Sequence, residues 1–179
     1  MKHENHTAQD GELSRIPCGL YQTTQEVPGH VPEGSLVYYH NHGNPGPGVY
    51  LVERWENNKA VFREKGVLVP EETFAFSLKP LKPEGLYRVR EPFHCCDKRC
   101  RLFEQDTIVQ LGYSARAEPL LFVLRWSAQG LELPDQGTRI DEERLSHLAP
   151  LKLEGRFDAP PEGERDKPFF MGRGSDLAH

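Results

Sequence analysis

Short apolar runs separated by polar, turn-forming stretches recur along this chain, the pattern of short β-strands joined by turns. SLVYYHN (35–41) and DTIVQLGY (106–113) are short runs rich in β-branched and aromatic residues, the composition strands favour. VYLVERW (49–55) and LLFVLRW (120–126) follow them, each preceded by turn formers, GNPGPG (43–48) in one case and ARAEP (115–119) in the other. The turns ENNKA (56–60) and SAQG (127–130) then lead into AVFREKG and LELPDQG, so two β-hairpins are predicted. VPEETFAFSL (69–78) and IDEERLSHL (140–148) predict one or two helical turns each. Pro70 suits the first helical position and Asp141 an N-cap, with acidic residues favoured in the first turn by the helix dipole. Short strands at KPLK (79–82) and APLK (149–152) close the two series.

Alternation along a strand assigns faces. Leu120, Phe122, Leu124 and Trp126 share one side of a strand, and constant spacing matches them to Val49, Leu51, Glu53 and Trp55. The other side is apolar too, with Leu121 and Val123 in one strand and Tyr50 and Val52 in the other. A strand that is apolar on both sides is expected to be covered on both. Trp55 and Trp126 are accordingly expected to be packing anchors.

These elements occur twice in the same order. Gly19-Leu20-Tyr21 recurs as Gly85-Leu86-Tyr87, and Arg54-Trp55 as Arg125-Trp126. Glu71-Glu72 recurs as Glu142-Glu143, and Pro80-Leu81-Lys82 as Pro150-Leu151-Lys152. Collinear matches of this kind read as a duplication, with residues 19–84 and 85–155 as the two copies. Short strands, a long first loop, a tight central hairpin and a helical turn before the last strand form an order that resembles a Src-homology-3-like small barrel. The resemblance covers element order over most of both copies. It implies a mainly β chain of two tandem Src-homology-3-like small β-barrels, 16–84 and 85–155, packed together. Segments 1–15 and 156–179 are expected to be flexible tails, being polar, aperiodic or rich in Pro and Gly.

Composition narrows the setting. No run approaches the roughly 18 apolar residues of a membrane span, so no membrane partner is expected. The N-terminus lacks the apolar core of a secretory leader, which points to a reducing cytoplasm and to thiols rather than disulfides. The formal net charge of −5 and the lack of a basic stripe argue against nucleic acid as a partner. Phe169, Phe170 and Met171 form an apolar knot in the polar C-terminal segment. It reads either as a fold-back contact or as a docking motif for another protein.

The candidate chemistry lies in PFHCCDKRC (92–100), which holds three of the four cysteines. Cys96 and Cys100 form a C-x3-C pair with metal-ligand spacing; His94 or Cys95 supplies a third zinc ligand, and Cys18 is the distant candidate for a fourth. Lys98, Arg99 and Arg101 flank Cys100 and would lower a thiol pKa, which is the redox reading. Reduced, partly buried thiols acting as small hydrophobes form the third reading. His40 and His42 lie two apart at the end of a strand, as a solvated pair, a partner-binding pair, a chelating one or, when protonated, an anion-binding one. No nucleophile motif or phosphate-binding loop occurs. The expected function is therefore a non-enzymatic interaction or adaptor protein. A zinc- or redox-responsive regulator is the alternative, and an enzyme using the His and Cys loops ranks last.

Overall fold

The apolar runs become strands of antiparallel sheets in a computed structural model that describes residues 16–152. The first stretch runs β1 (Gly19–Gln22), β2 (Leu36–His40), β3 (Gly48–Glu56), β4 (Lys59–Phe62), β5 (Val67–Leu68), helix α1 (Glu72–Ser77) and β6 (Lys79–Pro80). These strands form a sheet in the order β4-β3-β2-β1-β6, with β5 also paired to β3. The second stretch runs β7 (Gly85–Val89), β8 (Phe93–His94), β9 (Leu102–Phe103), β10 (Ile108–Tyr113), β11 (Pro119–Val123), β12 (Arg125–Ser127), β13 (Gly130–Glu132) and β14 (Thr138–Arg139). A 3-10 helix (Glu142–His147) and β15 (Leu148–Pro150) end it. Here the main sheet is β14-β11-β10-β7-β15, while β8–β9 and β12–β13 are separate two-stranded hairpins. Both main sheets are open in strand order, and no closed barrel forms among the described residues. The barrel expectation thus reduces to a mainly β chain with several antiparallel sheets.

Register explains the burial. Val49 pairs with Tyr39, which pairs with Gly19; Leu121 pairs with Leu111, which pairs with Gly85. Tyr39, Val49, Leu111 and Leu121 are all fully buried. Constant sequence spacing sets Val49 against Leu120, and the pairing corrects this to Leu121. A slip of one residue exchanges the two faces of a strand, so the correction moves every assigned side chain. The cause is one extra residue in β3, absorbed where its pairing with β4 shifts between Val52 and Arg54.

The tryptophans diverge. Each stands one pair before its hairpin turn, Trp55 opposite Ala60 and Trp126 opposite Leu131. Trp55 is 43% exposed and its Nε1 donates to the Tyr113 carbonyl at 2.9 Å. Trp126 is 83% exposed, so the packing-anchor expectation fails for it outright, and Trp55, itself still exposed, meets it only in part. The difference follows from the surroundings of the two hairpins. The tip at Asn57 and Asn58, both with positive φ, lies against the β10 strand. There Gln110 Nε2 donates to the Asn57 carbonyl at 2.9 Å, and Asn58 Nδ2 donates to the Pro134 carbonyl at 3.0 Å. A Cβ on Gly112 would stand 2.5 Å from the Asn58 carbonyl oxygen, so this approach requires glycine. The β12–β13 hairpin instead presents Trp126 to solvent.

Two cores result. One gathers Tyr21, Val37, Tyr39, Val49, Phe74 and Ala75. The other is built on Tyr87, Val89, Phe93, Phe103, Val109 and Leu111, and takes in Leu36 and Phe62 from the first stretch. The helical turns fall where the sequence sets them, with different caps. Glu71 is the N-cap of α1, and Pro70 precedes it instead of opening the helix. Asp141 is the N-cap of the 3-10 helix, yet neither side chain accepts a capping bond from a main-chain amide of its helix. The Asp141 carbonyl accepts from the Arg144 amide at 3.0 Å instead. Among the described residues no helix is long and apolar enough to cross a membrane. The tail expectations for 1–15 and 156–179, with Phe169, Phe170 and Met171, lie outside the described residues.

Candidate metal centre

The cysteine loop is carried by a two-rung ladder. Phe93 pairs with Phe103 and His94 with Leu102, so residues 95–101 bulge out between β8 and β9. Phe93 and Phe103 are buried and stacked, ring centroids 5.1 Å apart, and His147 stacks on Phe93 at the same distance. The Arg101 guanidinium lies over Phe103, 5.2 Å from the ring centroid. This aromatic floor gives the loop a rigid base.

Main-chain bonds then shape the loop. The Cys95 amide donates to the Arg101 carbonyl at 2.9 Å, and the Arg99 amide to the Cys96 carbonyl at 2.9 Å. Arg99 closes this turn in the left-handed region, φ 54°. The Asp141 amide donates to the Cys95 carbonyl at 2.9 Å, and Arg144 Nη2 to Asp97 Oδ1 at 2.9 Å. Both contacts tie the loop to the start of the 3-10 helix.

The turn brings three thiols together. Cys95 and Cys96 Sγ are 3.5 Å apart, Cys96 and Cys100 Sγ 3.7 Å, and all three sulfurs lie within 4.8 Å of one another. Cys95 is buried, Cys96 half-buried and Cys100 exposed, and none of the four cysteines forms a disulfide. The Cys100 amide aimed at Cys96 Sγ, helped by the Cys95 thiol, holds the Cys96 thiol below its ordinary range. Contact with Cys96 pushes the Cys100 thiol up. One sulfur of the set is therefore disposed to be a thiolate, the form that ligates metal.

The other sequence candidates fall elsewhere. His94 sits in β8, half-buried. With Cys96, Asp97, Arg99, Arg144 and His147 it lines a polar cleft of about 340 Å³, but it is outside the thiol group. Cys18 is grouped with His40 and His42, not with the loop cysteines. Asp97, Asp141 and Glu143 form an acidic trio beside the loop, in which Asp97 already pairs with Arg144.

One residue with unusual chemistry escaped the sequence reading. Glu84, in the link between β6 and β7, accepts the Ala60 amide at 3.1 Å, and burial pushes its carboxyl up to about 7. It lines a mainly apolar cleft of about 690 Å³ with Tyr38, Phe62 and Leu81. Nothing in the local sequence marks it, because the amide it accepts comes from β4.

No family model, curated protein or solved structure matches this chain.

Proposed function

We propose that the protein is a metal-responsive protein that binds zinc, or a cation of the same class, through Cys95, Cys96 and Cys100. The convergence of their sulfurs carries this reading. Zinc–thiolate bonds of about 2.3 Å give a tetrahedron with sulfur–sulfur edges of about 3.8 Å. The spacings of 3.5 and 3.7 Å are near that edge and far from the roughly 2.05 Å of a disulfide. Three thiols leave a fourth position for water or an exchangeable ligand. The contacts from Asp141 and Arg144 join occupancy of the loop to the order of the 3-10 helix. A reducing cytoplasm is the proposed setting, because it keeps an exposed thiol such as Cys100 available.

Zinc titration of the reduced chain tests this directly. The C96S/C100S variant should bind one ion fewer per chain than the wild type. Equal stoichiometry in the two proteins would remove the loop from the reading.

An interaction role has its own support. The β12–β13 hairpin and the residue chain leaving it expose Trp126, Leu131 and Leu133, an apolar set of the kind that marks protein contacts. W126S should then lose a partner that the wild type captures, and an identical set of partners would set the role aside. Descent of both halves from one small barrel-like module is also proposed. The repeated strand orders β6-β1-β2-β3-β5 and β15-β7-β10-β11-β14 support it.

A further inference from the structure

The geometry points to a second metal site, separate from the thiol loop, made by Cys18, His40 and His42 for a divalent cation of zinc's class. The β1–β2 register makes it. Gly19 pairs with Tyr39, so one step further Cys18 comes opposite His40, where side chains across a ladder meet. The turn after β2 then folds His42 back over the same place. The ligand atoms of the three residues lie within 4.8 Å of one another. Cys18 Sγ stands 3.8 Å from His42 Nδ1, and the two imidazoles are 4.4 Å apart between ring centroids. Zinc–sulfur bonds of about 2.3 Å and zinc–nitrogen bonds of about 2.0–2.1 Å give mixed edges of about 3.6 Å. A small inward movement of these side chains completes the set.

Two features distinguish this from a solvated histidine pair. The Asn41 amide donates to Cys18 Sγ at 3.4 Å, the outer bond that steadies a ligating thiolate. Asn41 is itself held, its Nδ2 donating to the Ile16 carbonyl at 2.8 Å, while its Oδ1 meets both Cys18 Sγ and His42 Nδ1. The contacts to Asn41 Oδ1 are made by protons on Cys18 Sγ and His42 Nδ1, and a bound cation takes the place of both. Binding of the cation expels the Cys18 thiol proton to solvent and leaves both imidazoles neutral. Cys18 also lines the 690 Å³ cleft that contains Glu84, whereas His40 and His42 do not.

Cobalt(II) is the probe, because a thiolate ligand gives it a charge-transfer absorption that histidine alone does not. In the full-length C96S/C100S chain, where the loop is silenced, one cobalt ion should bind with that absorption. C18S in the same background should abolish the band, and H42A should weaken binding about tenfold or more. Absence of the band, its survival in C18S, or indifference to H42A would each overturn the site. If the double variant does not fold, the intact chain gives the same decision. C18S should lower its cobalt count by one, and an unchanged count overturns the site. His42 is exposed, so H42A leaves the cores untouched.

Discussion

Phe103→Ala is expected to destabilise the protein by about 3–5 kcal/mol, the cost of truncating a buried aromatic ring. Phe103 is only 1% exposed and belongs to the core built on β7 and β10. It is also half of the Phe93↔Phe103 rung from which the thiol loop springs. Its loss removes transfer free energy, leaves a cavity under Phe93 and takes the support from beneath Arg101. Zinc affinity at the loop should fall with stability, since binding would then have to reorder a loosened base. Urea unfolding with and without zinc reads both effects. A loss below about 1 kcal/mol would mean that the ring is not the floor of the loop.

Glu84→Gln should raise stability above neutral pH and leave it nearly unchanged below pH 4.5. In the folded chain burial pushes this carboxyl up to about 7, against an ordinary value of 4.5. Between those values the folded state keeps a proton that the unfolded chain releases. Stability is then fully present below 4.5, declines as pH rises through the window, and stays lowered above 7. The whole difference is about 3 kcal/mol. Glutamine is neutral at every pH, and its amide oxygen can still accept from the Ala60 N–H. The difference between variant and wild type cancels the titration of distant groups. Thermal unfolding from pH 4 to 8 should therefore show two curves that diverge with rising pH. Parallel curves would place Glu84 in water rather than under β4.

Some of this was legible from residue order. The β-branched runs became β2, β3, β10 and β11, and the Asn57-Asn58 turn became the hairpin tip because asparagine tolerates positive φ. The C-x3-C spacing of Cys96 and Cys100 marked a pair able to share one metal ion, and the turn closed by Arg99 sets their sulfurs 3.7 Å apart. Cys95 was less legible as a ligand, since consecutive residues on a strand point to opposite faces and only the end of β8 at His94 frees it.

Other features depend on pairings that no local pattern encodes. A long loop separates β1 from β2, so spacing leaves open which residue faces Cys18, and register alone brings it to His40. Periodicity gave Trp126 a face without saying whether anything covers that face. The extra residue in β3 displaced the assignment of Val49 because offsets between repeated motifs do not locate a bulge. Glu84 was invisible for the same kind of reason, its amide partner Ala60 lying on a strand distant in sequence.

X-ray absorption at the zinc edge of H40A/H42A protein loaded with one zinc equivalent examines the thiol loop most directly. The expected spectrum has a sulfur shell at about 2.3 Å containing about three sulfurs, and chelation should release the ion and lower the melting temperature. A shell of nitrogen and oxygen alone at about 2.0–2.2 Å, or failure of the folded protein to retain zinc, would contradict a metal centre at Cys95, Cys96 and Cys100.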